Sequence, residues 1–310
     1  MACPVCGNAE SRLFCTAIDR VRRRTEPVWK IERCPRCGFG WTSPTPSAEE
    51  TAAFYPADYF GDIQRTLDDY LSGRLRGTRS WRGSTEKVRL VERFARGGRI
   101  LDVGCGDGKF LWALDGKRWH GTGIDTHRAT LSVVRARIPE LSLIEGDLYS
   151  AELAEGAFDV VTFWHVFEHL PDPAAILVRT RALLKPGGWL FISLPRFDSL
   201  QAAIFRRHWY AFDDVPRHLY HFSKSSLERL LRGAGFEVRR HLLFSRLVNF
   251  HTLKHSLLNW CEDRFSTRAV YYSLKPLLLP FVLLEWTVDR YGILTTVARK
   301  PPPSRQDARL

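Results

Sequence analysis

From Arg99 onward the chain repeats one pattern, a short apolar run, then a turn rich in glycine or acid, then residues at helical spacing. Arg99-Ile-Leu-Asp-Val103 reads as a strand; Gly104, Gly106 and Gly108 form the turn, and Phe110, Leu111 and Leu114 follow on a helical pattern. A second apolar strand ends at Gly123-Ile124-Asp125, a third near Glu145-Gly146-Asp147, and Phe158-Asp-Val-Val-Thr-Phe163 is a fourth. Leu184 to Ile192 makes a fifth, while Gly235 to Arg240 and Leu294 to Lys300 read as two later strands. Upstream, Val88, Leu90, Val91 and Phe94 recur at near-helical spacing in an arginine-rich stretch, which predicts an amphipathic helix with a wet basic face.

The amino-terminal stretch carries a different signal. Cys3-Pro-Val-Cys6-Gly7 and Cys34-Pro-Arg-Cys37-Gly38 are near copies, each setting two thiolates one tight turn apart. Two such pairs suit one tetrahedral ion, and four sulfurs leave no open coordination position, so a structural Zn2+ held by Cys3, Cys6, Cys34 and Cys37 is expected. Val28 to Ile31 between the pairs suits a short hairpin, giving a zinc ribbon over 1–42. Arg20, Arg22, Arg23 and Arg24 in the intervening loop are candidate phosphate contacts or a solvated loop. The proline-rich Thr42 to Ser47 marks a boundary, followed by a linker and helical segment over 43–96.

Composition narrows the class. With 45% hydrophobic and 26% charged residues the chain is globular, which excludes wholesale disorder. The formal charge of +12 favours acidic partners: nucleic acid, phosphorylated substrates or an anionic membrane surface. No apolar run reaches the ~20 residues a bilayer span needs; Leu277 to Val288 contains Pro280 and Glu285 and stops at Asp289. The first residues resemble no secretory signal, so the expected location is a reducing cytoplasm, where seven cysteines act as metal ligands or buried thiols.

The turn after the first strand reads G-x-G-x-G; the third glycine of a dinucleotide fingerprint falls at Lys109, so that spacing fails. A carboxylate at the end of the second strand, Asp125, suits a ribose diol, and Asp147 suits an adenine amino group. This succession resembles the Rossmann-like S-adenosylmethionine-dependent methyltransferases. The resemblance runs over about 97–300 and continues through His165-Val-Phe-Glu168-His169-Leu-Pro-Asp172 and Leu184-Lys-Pro-Gly-Gly. It implies an α/β fold with a mostly parallel sheet, an antiparallel last strand and helices on both faces. It also implies S-adenosylmethionine as donor, bound by Asp102, Gly104, Gly106, Gly108, Asp125, Asp147 and His165. Cys105 is read as loop packing.

Methylating an oxygen requires a base, which a positioned histidine supplies. An aromatic and polar insertion over 196–222 carries Pro216-Arg-His-Leu-Tyr-His-Phe-Ser223. Cysteine knuckles joined to such a core are similar to the sugar C-methyltransferases, and by that resemblance His218 is the base, with His165 the second candidate and His221 structural. Arg217 stands where those enzymes carry a glutamate. A second insertion, 243–291, places apolar runs between Arg246, Lys254, Arg268 and Lys275, the balance of either an interfacial segment on anionic lipid or a packed helical pair. The expected activity is methyl transfer to a sugar, nucleotide sugar or lipid-linked glycan precursor. RNA methylation and a donor-binding scaffold without turnover are the competing readings, the first weakened by the lack of an Asn-Pro-Pro-Tyr-type loop after the fourth strand. The end, 301–310, is expected to be a disordered tail.

Overall fold

The structure, a computed structural model, describes residues 2–22, 26–55, 61–265 and 269–302. Arg23, Arg24, Arg268 and residues 303–310 of the expected tail lie outside the described residues. The cysteine pairs flank a small antiparallel sheet of β1 (Arg12–Ala17), β2 (Trp29–Arg33) and β3 (Gly40–Ser43). The hairpin expected around Trp29 is therefore present. The sheet takes its fourth strand from Tyr220–His221, inside the first insertion, where Gly40 pairs with His221 and Trp41 with Tyr220. The cysteine module is thus stitched to a loop that enters some 180 residues later in the chain.

Three helices lead to the main sheet: α1 (Ala48–Ala53), α2 (Ile63–Leu71) and α3 (Arg79–Glu92). Asp62 and Thr78 cap α2 and α3 by accepting backbone N–H bonds, the role short polar side chains serve at helix starts. Val88, Leu90 and Val91 of α3 are buried, as their spacing predicts, against Ile100, Leu111 and Phe191.

The main sheet has seven strands. β4 (Gly98–Val103), β5 (Trp119–Asp125) and β6 (Ser142–Glu145) run parallel, linked by the one-turn α4 (Lys109–Trp112) and by α5 (Arg128–Arg137). The chain then returns to the other side of β4 for β7 (Phe158–Trp164), α6 (Pro173–Leu183) and β8 (Leu184–Pro195), again parallel. β4, β7 and β8 are nearly continuous apolar runs because both faces are covered, by α3 and α4 on one side and by α6 on the other. Beyond β8 come α7 (Leu200–Phe205), β9 (Tyr220–His221), α8 (Lys224–Gly233) and β10 (Glu237–Leu242). Three helices follow, α9 (Arg246–Phe265), α10 (Ala269–Leu274) and α11 (Leu278–Thr287), before β11 (Ile293–Arg299). β11 inserts between β8 and β10, antiparallel to both, so the order is β10-β11-β8-β7-β4-β5-β6. Strand succession reverses between β4 and β7, which opens a crevice at their carboxyl ends.

Candidate active site

The glycine turn lies at that crevice. Gly104, Gly106 and Gly108 all have positive φ, near +68°, +50° and +69°, a conformation side chains disfavour. At Gly104 a Cβ would also stand 2.4 Å from Val166 Cγ2, and at Gly108 one would press on Leu141 and Val134. The first and third glycines therefore serve close packing of the turn as well as its path. The helix after the turn is a single turn long, so the dipole expected from it is small, and its first side chain, Lys109, pairs with Asp107 at 2.7 Å. Cys105 is buried, and burial pushes its thiol well up, which makes it packing as expected.

Asp125 ends β5 with its carboxylate accepting from Gly106 N at 2.9 Å and His127 N at 2.8 Å, so the acid and the glycine turn fix each other. On the neighbouring strand Gly146 N donates to Asp125 O, and Asp147 follows at the same carboxyl end. Asp147 Oδ1 accepts from Tyr149 N and Ser150 N, both at 2.8 Å, and the Ser150 amide holds the carboxyl below its ordinary range. It is exposed. Asp102 is buried on β4, where burial raises its pKa to about 7 against the pull of a 2.6 Å bond from Thr162 Oγ1 and of Lys87. Lys87, from α3, was not singled out by the sequence. Its ammonium lies 5.2 Å from the Trp164 ring centroid, and burial lowers its pKa while Asp102 and Asp107 oppose that. Trp164 Nε1 is buried without a hydrogen-bond partner among the described residues. An ammonium and an indole N–H held beside acids and a glycine turn fit a ligand that carries a carboxylate and an amine, as the methionine end of S-adenosylmethionine does.

His165 follows β7 with φ of +59°, its backbone N–H on Ser193 O, and Nδ1 3.7 Å from Glu168 Oε1. Val166, which fills the space over Gly104, lies between them, so the cofactor turn and this segment are in direct contact. Glu168 is fully buried and neither carboxylate oxygen has a hydrogen-bond partner among the described residues. Burial pushes it up, but His165, His169 and His218 together hold it below the ordinary range. His218 comes from the first insertion. Its Nδ1 is 2.6 Å from Ala211 O, and a carbonyl can only accept, so Nδ1 donates there and Nε2 is the ring nitrogen left to face the site. That Nε2 lies 3.8 Å from Glu168 Oε1 and 3.6 Å from Asp214 Oδ2. The His169 ring packs edge-on at 4.5 Å, contacts Tyr55 Oη at 2.9 Å through Nδ1, and is pushed down to about 4 by burial and then by His218. Glu168, His169 and His218 offer ligand atoms within 4.8 Å of one another, close enough to share a proton or a cation. His221 is buried, shares a 3.2 Å contact with Thr42 Oγ1 and is driven well down by burial, as befits a structural residue.

Arg217 is explained by its partners. It is wholly buried, donates to Asp19 Oδ2 at 3.0 Å and Asp19 Oδ1 at 2.9 Å, and donates through Nε to Asp214. It therefore braces the His218 loop against the cysteine module. The four thiols are also well placed: Cys3 and Cys37 sulfurs are 3.6 Å apart, as are those of Cys6 and Cys34, and all four lie within 4.8 Å. A tetrahedral Zn–S distance of about 2.3 Å requires sulfur separations of about 3.8 Å. Burial opposes ionisation of Cys34, yet the Cys37 and Arg36 amides and the neighbouring thiols bring it to about 7; burial leaves Cys37 pushed up. Four thiols this close all ionise only around a cation.

Strand order, the glycine turn at the switch point and two acids on successive strand ends define a Rossmann-like methyltransferase. A methyltransferase-domain family model matches residues 76–241, over half of the chain, and the chain belongs to that family: it is an S-adenosylmethionine-dependent methyltransferase. It is 35% identical over 153 residues to a ubiquinone biosynthesis O-methyltransferase of Thiobacillus denitrificans, a match covering 46% of this chain and 65% of that enzyme. The enzyme of the same name from Paracidovorax citrulli is 38% identical over 167 residues, covering 51% of this chain and 69% of its own length. These relatives carry names from ubiquinone biosynthesis, where the sequence resemblance had suggested sugar methylation. The chain spans about two thirds of their length. The [4+2]-cyclase SpnF shares the fold at a TM-score of 0.53 and 19% identity, over 84% of this chain and 98% of its own.

Proposed function

We propose that this enzyme methylates a hydroxyl of a small acceptor, with His218 as the general base. The observation that carries this reading is the orientation of His218: Nδ1 is committed to the Ala211 carbonyl, and Nε2 faces Glu168 and Asp214, which stabilise the imidazolium that forms when a hydroxyl gives up its proton. Bound S-adenosylmethionine supplies a methyl on a positively charged sulfur, which an acceptor atom displaces in line. Asp125 holds the ribose diol, Asp147 the adenine amino edge, and Gly104, Gly106 and Gly108 shape the turn on which the cofactor lies. Lys87 and Trp164 meet its carboxylate and Asp102 its amine. His165, at the tip of β7, lines the passage between turn and base. A Zn2+ in the Cys3, Cys6, Cys34, Cys37 cluster is structural.

The acceptor is a hydroxyl on a sugar, nucleotide sugar or lipid-linked glycan precursor; the names of the relatives add a quinone precursor. A phenol and a sugar hydroxyl need the same base. RNA is less favoured, because several arginines are turned inward and not offered to a phosphate backbone: Arg217 on Asp19, Arg196 on Asp198, Arg20 near Asp213, and Arg179 on backbone carbonyls. Incubation with labelled donor and fractionated extract tests the reading. Label should enter a lipid or glycan fraction and vanish with His218→Ala, while titration calorimetry shows donor binding retained. Label in RNA, or full turnover by the variant, overturns it.

A further inference from the structure

The α10–α11 segment is apolar on its outer face as well as its inner one. Within α11, Leu278 and Glu285, two helical turns apart, face inward and are buried. Glu285 Oε2 accepts from Asn249 Nδ2 at 2.9 Å and Gln201 Nε2 at 3.1 Å, so the one acid of the helix is anchored beneath it. Phe281 and Val282 pack inward beside them, while other apolar residues point the opposite way. Tyr272, Leu277, Leu279, Leu283, Leu284 and Trp286 are each between 50% and 66% exposed, and Leu279, Leu283 and Trp286 fall on one stripe at i, i+4 and i+7. Water-facing helices place their leucines inward and their acids outward, and a contiguous apolar face of this kind marks a surface that meets something other than water.

We infer that this face docks on an anionic lipid bilayer, lying in the interface without crossing it. Cations ring the apolar stripe: the Arg246 guanidinium stacks 4.7 Å from the Trp286 ring centroid, and Arg246, Lys275 and Arg290 are exposed. An indole under an arginine, with leucines beside it, matches the headgroup and acyl boundary, where an amphipathic ring and a cation are both satisfied. A second copy of the chain is a poorer occupant, because a two-fold contact would set these cations against their own images in a chain of net charge +12. No helix among the described residues is long and apolar enough to cross a membrane, so attachment is peripheral. The docked helices also reach the base: α11 packs on α9, whose Ser256 Oγ accepts from Tyr210 N at 3.0 Å, and the adjoining Ala211 carbonyl holds His218. Docking therefore brings the His218 region to the bilayer. If the reading of that site holds, it selects acceptors with a lipid tail.

Flotation of the full-length protein with phosphatidylcholine vesicles, with and without phosphatidylglycerol at about three parts in ten, is the test. Binding should appear with the anionic vesicles and weaken as salt is raised. The pair Leu279→Asp and Leu283→Asp should reduce it roughly tenfold or more, and Arg246→Glu with Lys275→Glu should remove the preference for anionic lipid. All these positions are exposed, so donor binding should stay at the wild-type value in both variants, which keeps failure of docking distinct from failure of the methyltransferase site. Absence of flotation on anionic vesicles overturns the inference. So does flotation indifferent to both pairs, or a stable dimer in light scattering that the leucine pair abolishes.

Discussion

The sharpest energetic consequence of the fold sits at Asp19. Its carboxylate, nearly buried, takes two hydrogen bonds from a guanidinium with no exposure at all, 198 residues away in sequence. Asp19→Ala leaves Arg217 in the same burial without its two-bond carboxylate, Asp214 remaining at Nε. Breaking a buried, hydrogen-bonded pair from one side costs about 3–5 kcal/mol, because the remaining charge keeps its desolvation penalty. Against a typical total of about 5–15 kcal/mol that is a large fraction, and for a chain this long it lowers the midpoint of thermal unfolding by roughly 6–10 °C. The cycle closes with Asp19→Ala combined with Arg217→Met, which removes both charges of this pair and refills the volume; part of the lost stability should return, the remainder reflecting Asp214, which loses its Arg217 bond. Urea unfolding followed by circular dichroism measures each corner. A single Asp19→Ala variant within 1 kcal/mol of wild type, on the order of the value for an exposed pair, refutes the claim that the cysteine module and base loop are locked by a desolvated ion pair.

His218→Ala should lower kcat by about 10²- to 10⁴-fold while leaving donor affinity unchanged in calorimetry. Asp125→Ala removes a charged acceptor for a ribose diol and the brace of the glycine turn, so donor binding should weaken by roughly 10- to 100-fold. Glu285 has a pKa raised to about 7 by burial, against the help of Asn249 and Gln201, from an ordinary 4.5, so the native state binds its proton more tightly than the unfolded chain does. Its contribution is greatest below pH 4.5 and fades as pH rises to 7. Glu285→Gln should flatten that slope and gain at most on the order of 3 kcal/mol above neutrality; Asp102, raised over a similar window, leaves a residual slope. Cys34→Ser or a strong chelator should release zinc, measured by a colorimetric dye, and should depress kcat more than donor affinity.

The split expected for zinc follows from what the sequence shows and what it hides. β4, β7 and β8 were legible because strands covered on both faces are unbroken apolar runs, and the two cysteine pairs because a metal demands its ligands at fixed local spacing. Asp125 was legible as an acid at a strand end. Glu168, His169 and Tyr55 carried no such signal: they gather from a short turn and a loop, and only the fold brings His218 beside them, just as only the fold brings Lys87 of α3 to Asp102 and Trp164. Which face of α11 meets the core is equally hidden: Leu278 to Trp286 reads as either an interfacial or a packed run until Gln201 and Asn249 are seen holding Glu285 inside. The deepest of these hidden pairings is β3 with β9. Thr42, five residues beyond Cys37, donates its hydroxyl to His218 O at 2.6 Å and its amide to Leu219 O at 2.9 Å, while Leu219 N donates to Glu168 O. A metal that fixes the Cys34–Cys37 turn thereby fixes β3, and β3 fixes the backbone of the base from one side as Asp19 does through Arg217 from the other. Asp125 and the glycine turn are held instead by β4, β5 and Val166. Loss of the metal should therefore loosen the geometry of proton removal first and leave the donor seat largely formed.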